Sequence, residues 1–505
     1  MVFPFLTCHA YAGLTGFTKY PVLMKFMKPV LLTTLTRPDS GEAEPLPLQI
    51  RRDLLAAIRE GRLTHGAKLP SSRAAAEVLQ VSRTTINTAY DLLRAEGVLT
   101  VRPGAAPAVV APANPRQPKM TTRLPLSDRG GRLSTDPRSS GGIPKKGVMS
   151  PGIPDEVLFP RSEWATALRR VSRRLQGGMS GYDMHYGLPE LRQVLAERLT
   201  ADRGLRADPE RILVTCGTQA SLAMLAQVMT DPGDIAAMED PGYLGARAAF
   251  SGAGLTIASV PVDDEGICAE LIPDAARIVY VTPSNQYPLG IRMSLQRRMT
   301  LLEQARRHGA LIIEDDYDSE FHWRGREIAA LAGYGSGEVA YLGSAAKVLM
   351  PALRIGWLLL PDWLVEPARV AQRNLGILAN IHAQAALADL MRTGRYRAHL
   401  RRISRAYEER GHALAEALCT IPGLTIRPPD GGVQLALQFH EKRDEAAILA
   451  ALAAGGFHPA PLSPCSSTGQ TGFIVGFANA TPDRIARFRE ILNRETGAVR
   501  RACGS

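Results

Sequence analysis

Long apolar runs are missing from this chain. No stretch approaches the roughly eighteen consecutive hydrophobic residues that a membrane-spanning helix needs, so no membrane partner is expected. Cysteine is sparse: the six residues, Cys8, Cys216, Cys268, Cys419, Cys465 and Cys503, are scattered and contain no C-x-x-C pair. That argues against a zinc site and for reduced thiols in a cytoplasmic protein. Residues 1–45 lack the apolar core and cleavage pattern of a secretory signal and read as a disordered extension. Net charge is absent from most of the chain. The overall +11 resides in the front: +1 in residues 1–46, +4 in 47–110 and +6 in 111–147, which leaves 148–505 neutral. A basic head on a large neutral body suggests a polyanion partner for the head alone. At 505 residues and 45% hydrophobic, the chain holds two or three domains with sizeable cores.

From Pro47 the apolar period is helical. Ile50, Leu54, Leu55 and Ile58 share a face, and Gly61 ends the pattern. Ser71 or Ser72 can cap a second helix reaching Leu79, and Ser82 a third. The third buries Ile86, Ala89, Tyr90 and Leu93, and Gly97 stops it. Two short strand-like runs around Leu99 and Val109, joined by a turn at Arg102-Pro103-Gly104, complete a winged helix-turn-helix over 46–112. In such a unit the third helix enters the major groove by its N-terminal residues. The candidate contacts to double-stranded DNA are Arg73, Ser82, Arg83, Thr84, Thr85, Asn87, Arg102 and Gly104, a set of guanidinium, hydroxyl and amide groups suited to base edges and phosphates. Residues 113–147, rich in Pro, Arg, Ser and Gly, read as a flexible basic linker.

Residues 148–505 alternate helix-period segments with short apolar runs, such as 212–215, 235–238, 278–281, 310–313, 339–342 and 355–360. That alternation predicts an α/β body with a mostly parallel central sheet and a smaller C-terminal half. Ligands in such sheets gather at strand carboxyl ends. Lys347 follows one of these strands, with Ser344 before it and Arg354 after it; the strand before ends in Glu314-Asp315-Asp316-Tyr317-Asp318. Taken singly, a lysine or an acidic turn is an ordinary solvated feature. Together they supply what pyridoxal 5'-phosphate (PLP) requires: a Schiff-base amine, a carboxylate for the ring nitrogen and an arginine for the phosphate. Thr218 and Gln219 open a helix after the first strand, where free N–H groups suit a phosphate. Tyr243, Asn285 and Tyr287 stand in loops after the next strands. No metal site is expected.

The stretch LPSSRAAAEVLQVSRTTINTAYDLLRAEGVLTVRPG resembles the winged N-terminal domain of GntR-type bacterial repressors. Residues 148–505 resemble the fold-type I aminotransferases, notably in EDPGYLGARAAF, TPSNQYPLGIRMSLQRR, LIIEDDYDSEF and GSAAKVLMPALRIGW. The combination resembles the MocR/PdxR family of transcription regulators. The resemblance implies that Lys347 forms the internal aldimine, Asp315 pairs with the pyridine nitrogen and Tyr317 reaches the ring hydroxyl. Tyr243 would stack on the ring. Arg354, Ser344, Thr218 and Gln219 would hold the phosphate, and Asn285 and Tyr287 would line the other ring edge. It further implies a head-to-tail, domain-swapped homodimer in a bacterial cytoplasm.

Three departures stand out: Ala345-Ala346 before the lysine, Asn285 where relatives have histidine, and no arginine in GQTGFIVGFANA where aminotransferases hold the substrate carboxylate. The expected function is therefore a DNA-binding regulator. It would sense PLP, or an amino acid or amine that forms an aldimine with it, and control a gene of vitamin B6 or amine and amino-acid metabolism. Transamination half-reactions would be residual. The alternative is a PLP-dependent aminotransferase with an accessory DNA-binding head.

Overall fold

A computed structural model describes residues 44–102, 105–110, 125–134, 147–174, 186–323 and 329–502, in two compact units divided after Leu124. The expected extension over 1–45 lies almost wholly outside the described residues, as do Gly104 and most of the linker.

The first unit is built from α1 (Leu46–Arg59), α2 (Ser72–Leu79) and α3 (Arg83–Ala95), followed by β1 (Leu99–Thr100) and β2 (Ala108–Val109). Ser71 caps α2 by accepting from the Ala74 amide, and Ser82 caps α3 by accepting from that of Thr85. Each cap satisfies one orphan donor of a helix start. Ile50, Leu54, Leu79, Ile86, Ala89 and Leu93 close the core. Buried Tyr90 fastens α3 to the preceding turn through its hydroxyl, which donates to Pro70 O at 3.1 Å. The strands β1 and β2 pair antiparallel as the wing.

The second unit opens with α4 (Asp128–Ser134), α5 (Arg161–Arg174) and α6 (Pro189–Arg203). β3 (Ile212–Thr215), α7 (Thr218–Met229), β4 (Ile235–Asp240), α8 (Leu244–Ala253), β5 (Thr256–Asp263), β6 (Gly266–Ile267) and β7 (Ala276–Val281) follow. Then come α9 (Leu295–His308), β8 (Leu311–Asp315), β9 (Val339–Ser344), β10 (Gly356–Leu359) and α10 (Asp362–Leu375). These strands form one eight-stranded sheet in the order β3-β10-β9-β8-β7-β4-β5-β6. Neighbours from β9 to β5 are parallel, while β10 is antiparallel to both β3 and β9. Successive residues face opposite sides. Leu213, Tyr280, Ile313, Leu342 and Leu358 pack toward α7 and α8; Val279, Val281 and Ile312 pack toward α9. Both faces are thus covered, which is why the central strands read as unbroken apolar runs.

The remaining elements are α11 (Ile381–Arg392), α12 (Arg395–Cys419), β11 (Leu424–Ile426), β12 (Gln434–Phe439), α13 (Glu445–Ala454), β13 (Ala460–Pro461), β14 (Gly472–Gly476) and α14 (Pro482–Ala502). Their strands make a separate antiparallel sheet, β11-β12-β14-β13. Within the expected linker, 128–134 departs from a flexible reading. It forms α4, and Leu133 packs at Gly252 of α8, where the absence of a side chain leaves it room. Two glycines inside SDRGGRL had masked that helix; packing on a neighbour offsets their poor helix propensity. Among the described residues no helix is long and apolar enough to cross a membrane.

Candidate functional site

Five parallel or co-directed strands end on one edge of the large sheet, and the segments leaving them wall a cavity of ≈ 190 Å³. Its lining includes Gly217, Thr218 and Gln219 after β3, Tyr243 after β4 and Tyr287 after β7. Asp315 and Tyr317 come from β8 and its exit, and Ser344 and Lys347 from β9. Arg354 arrives differently. It precedes β10, whose first residue Gly356 lies opposite both Ser344 and Thr215. Because β10 runs antiparallel, its start meets the ends of its neighbours.

The Lys347 ammonium donates to Gly152 O at 2.8 Å. Gly152 has φ +69, and a Cβ there would lie 2.5 Å from Lys347 Nζ, so both backbone and space call for glycine. Burial pushes the Lys347 amine down from its ordinary range, opposed by the nearby Asp318 and Asp315 carboxylates.

Of the four acids after β8's apolar run, three are committed elsewhere. Glu314 accepts from the Leu331 and Ala332 amides. Asp316 accepts from Arg203 at 2.8 Å and from the Tyr341 hydroxyl at 2.6 Å. Asp318 accepts from Asn285 at 2.8 Å. Asp315 alone lines the cavity: its Oδ2 accepts from the Tyr280 hydroxyl at 2.7 Å, while its buried Oδ1 has no partner among the described residues. Burial, with Asp316 adding repulsion, pushes Asp315 up to about 7, against the pull of Tyr280 and Lys347.

At the other end, Gly217 opens α7 with φ +113 and no side-chain cap. A Cβ on Gly217 would stand 3.6 Å from the Arg354 guanidinium carbon. The bare glycine therefore leaves arginine and helix N-terminus facing one space, the arrangement that suits a phosphate. Ser344 Oγ accepts from the Ala346 amide at 3.1 Å, and Gln219 donates to Gly245 O at 2.9 Å. Tyr287 packs edge-on to both Tyr243 (5.4 Å between ring centroids) and Tyr317 (6.1 Å).

This donor set fits PLP. The orphaned Asp315 oxygen matches a pyridine N–H, the Gly217–Arg354 cradle a phosphate, and Lys347 an aldehyde. Asn285 is not brought to this cavity. It bonds Asp318 and lines a neighbouring one with Arg292 and His322. Sequence reasoning missed Tyr280, Gly152 and Gln434, which also wall or anchor the site. It missed Glu239 too. This buried carboxylate accepts from the Thr282 amide and hydroxyl, and Thr282 in turn accepts from the Tyr287 amide, so the 282–287 loop is pinned. Tyr280 looked like one more core residue of an apolar strand, and no local signal marks it.

In the first unit Arg73, Arg83, Thr84, Asn87 and Arg102 are exposed. Ser82 and Thr85 are placed otherwise than at free contacts. The Ser82 oxygen accepts from the Thr85 amide at 3.0 Å and lies 2.7 Å from the Thr85 hydroxyl, so both serve the helix start. Arg83 leans on Ser72, donating through Nε at 3.3 Å, which ties the third helix to the second.

Residues 46–109 match the model for bacterial regulatory proteins of the gntR family, and 155–492 that for aminotransferase class I and II. The probable rhizopine catabolism regulatory protein MocR of Rhizobium meliloti is 38% identical over 88% of this chain and 92% of its own. The pyridoxine biosynthesis transcriptional regulator PdxR of Corynebacterium glutamicum is 30% identical over 88% and 94%. Among solved structures, an archaeal alanine:glyoxylate aminotransferase superposes with a TM-score of 0.69 at 24% identity, over 74% of this chain and 98% of that one; this likeness speaks to the fold alone.

Proposed function

The chain belongs to the MocR/PdxR family, in which a GntR-type winged helix-turn-helix is joined to an aminotransferase class I and II domain, and on that premise we propose that its DNA binding responds to PLP or to an amino compound captured with it. It is a PLP-dependent transcription regulator of the helix-turn-helix type. One observation carries the sensing reading. A DNA-binding unit shares a chain with a cavity where a lysine amine, a carboxylate with one unpartnered oxygen and an arginine–helix cradle converge.

When bound, the cofactor supplies an electrophilic carbonyl and an electron-withdrawing ring. The chain's own residues do the rest. Gly152 O orients the Lys347 amine. Burial favours the neutral, nucleophilic form of that amine. Asp315 is poised to hold a proton on the ring nitrogen, because Tyr280 fixes one of its oxygens and leaves the other for the ligand. Arg354 with the start of α7 would hold the phosphate, assisted by Ser344, Thr218 and Gln219. Tyr243 would face the ring, and Tyr317 its hydroxyl.

On the DNA side, Arg83, Thr84 and Asn87 at the exposed start of α3 would read the major groove, with Arg73 and Arg102 on phosphates. A head-to-tail homodimer would set the spacing of two half-sites. A ligand shifts such an assembly only through differential affinity for its states. The regulated gene would serve vitamin B6 or amine and amino-acid metabolism.

The test is footprinting of the purified protein on DNA upstream of its own gene, with and without PLP. A protected site whose extent or affinity changes with PLP is expected. Protection that is identical in both, or none even at low salt where phosphate contacts are strongest, overturns the sensing reading. Multi-turnover amino transfer in the absence of any DNA response would move the assignment to an enzyme with an accessory head.

A further inference from the structure

The cofactor reading leaves one wall of the cavity unused. Gln434, the first residue of β12, lines that wall and is only 6% exposed. Its side-chain Nε2 is buried and has no hydrogen-bond partner among the described residues. It sits beside the reactive amine. A Cβ built on Gly152 would lie 2.5 Å from Lys347 Nζ and 3.6 Å from Gln434 Oε1. Leaving a buried amide donor unmet is unfavourable, and this one stands in a cavity where an acceptor on a ligand can meet it.

The charges around the cavity are already assigned. Among the described residues its charged lining is Asp315, Lys347 and Arg354. Arg354 stands by Gly217 at the start of α7, and Asp315 by Tyr280. Gln434 itself is neutral, and among the described residues the charges nearest this side are the Lys347 amine, which donates to Gly152 O, and the Asp318 carboxylate that acts on it. With Lys347 committed to the cofactor, a carboxylate brought there would leave water for an amide that carries no charge, with the Asp318 carboxylate near enough to repel it. A hydroxyl meets both needs. Its oxygen accepts from Gln434 Nε2, and its hydrogen can go to the second lone pair of Gly152 O, whose first is taken by Lys347.

We propose that Gln434 is the specificity residue of the sensory cavity and that the amino effector it admits carries a neutral hydroxyl near its amine, as amino alcohols and amino sugars do, and not the carboxylate of an amino acid. This inference rests on the reading that the cavity accepts an amino compound alongside PLP.

Matched probes test it. The full-length, PLP-loaded protein is titrated with ethanolamine against glycine and with 3-aminopropan-1-ol against β-alanine, following the cofactor's absorbance. Each pair differs only in CH₂OH against CO₂⁻. The amino alcohol should bind about tenfold more tightly than its partner, the equivalent of roughly 1.4 kcal/mol. Q434L should erase that preference, and Q434R should reverse it in favour of the amino acids. Bound cofactor per chain is measured for every variant; where a variant has lost cofactor, the wild-type pairs decide alone. Glycine and β-alanine binding as tightly as the alcohols, a preference that survives Q434L, or no saturable response to either class would each overturn the proposal. The footprint's dependence on PLP is a separate measurement, so failure here is distinguishable from failure of the regulator reading.

Discussion

The Tyr280 hydroxyl donates to Asp315 Oδ2 at 2.7 Å and leaves Asp315 Oδ1 buried and unpartnered. One oxygen positions the carboxylate and the other is kept for a ligand. Asp315→Asn should therefore weaken PLP binding by about 10- to 100-fold, the scale of a charge-assisted hydrogen bond. Tyr280→Phe removes only the positioning bond, which Asp315 has with or without PLP, and should cost a few-fold. Equilibrium dialysis with PLP separates the two; equal losses would contradict this division of labour.

Among the described residues Lys347 is the one lysine lining the cavity, and its amine is already oriented by Gly152 O. Borohydride reduction of the PLP-loaded protein should fix the cofactor to the peptide that contains Lys347. In Lys347→Ala, peptide mapping should find no covalent label at any site, and PLP should be lost on gel filtration. A label on another lysine would remove Lys347 from its role.

Stability without cofactor should depend on pH in a definite direction. Burial pushes Glu239 and Asp315 up to about 7 and Asp318 up to about 8. A carboxyl that holds its proton more tightly when folded stabilises fully below its unfolded pKa. That contribution is lost as pH rises through the folded value. The melting temperature of the PLP-free protein should fall between roughly pH 5 and pH 8. Lys347, pushed down by burial, works in the opposite sense. Saturating PLP gives Asp315 a cationic partner and should shrink the fall, as should Asp315→Asn. Differential scanning fluorimetry across that window reads all three; a melting temperature that rises steadily with pH would refute the assignment.

In the winged unit, Ser82→Ala removes the cap of α3 and should cost about 1 kcal/mol of stability. Exposed Arg83 does no such structural duty beyond its 3.3 Å bond to Ser72. Arg83→Ala should leave the melting temperature nearly unchanged and weaken operator binding. Gel-shift titrations over a salt series distinguish its target. A slope reduced by about one indicates a lost phosphate contact. An unchanged slope with relaxed sequence preference indicates a lost base contact. No change in affinity at all would remove Arg83 from the interface.

Much of this could be read from order along the chain. The apolar period of 46–95, the serines that cap its helices, and the strand runs of the body are local patterns, and local patterns suffice to place helices and strands. They also suffice to put Lys347, Asp315, Tyr317, Tyr243, Tyr287 and the Gly217 turn at strand ends, because a parallel sheet delivers successive strand ends to one edge. What the sequence could not decide depends on pairing across distance. Arg354 is legible as the arginine after Lys347, but the route by which it reaches the cavity, the start of β10 running antiparallel between β3 and β9, is not. Asn285 turns to Asp318 and so lines the neighbouring cavity. Leu133 finds a surface on α8 that makes a helix of a glycine-rich stretch. Gly152 lies 195 residues from the lysine it orients, and Gln434 comes from the second sheet. No periodicity records such meetings. They are set by which apolar faces bury against each other, and the polar atoms carried along then find, or lack, their partners.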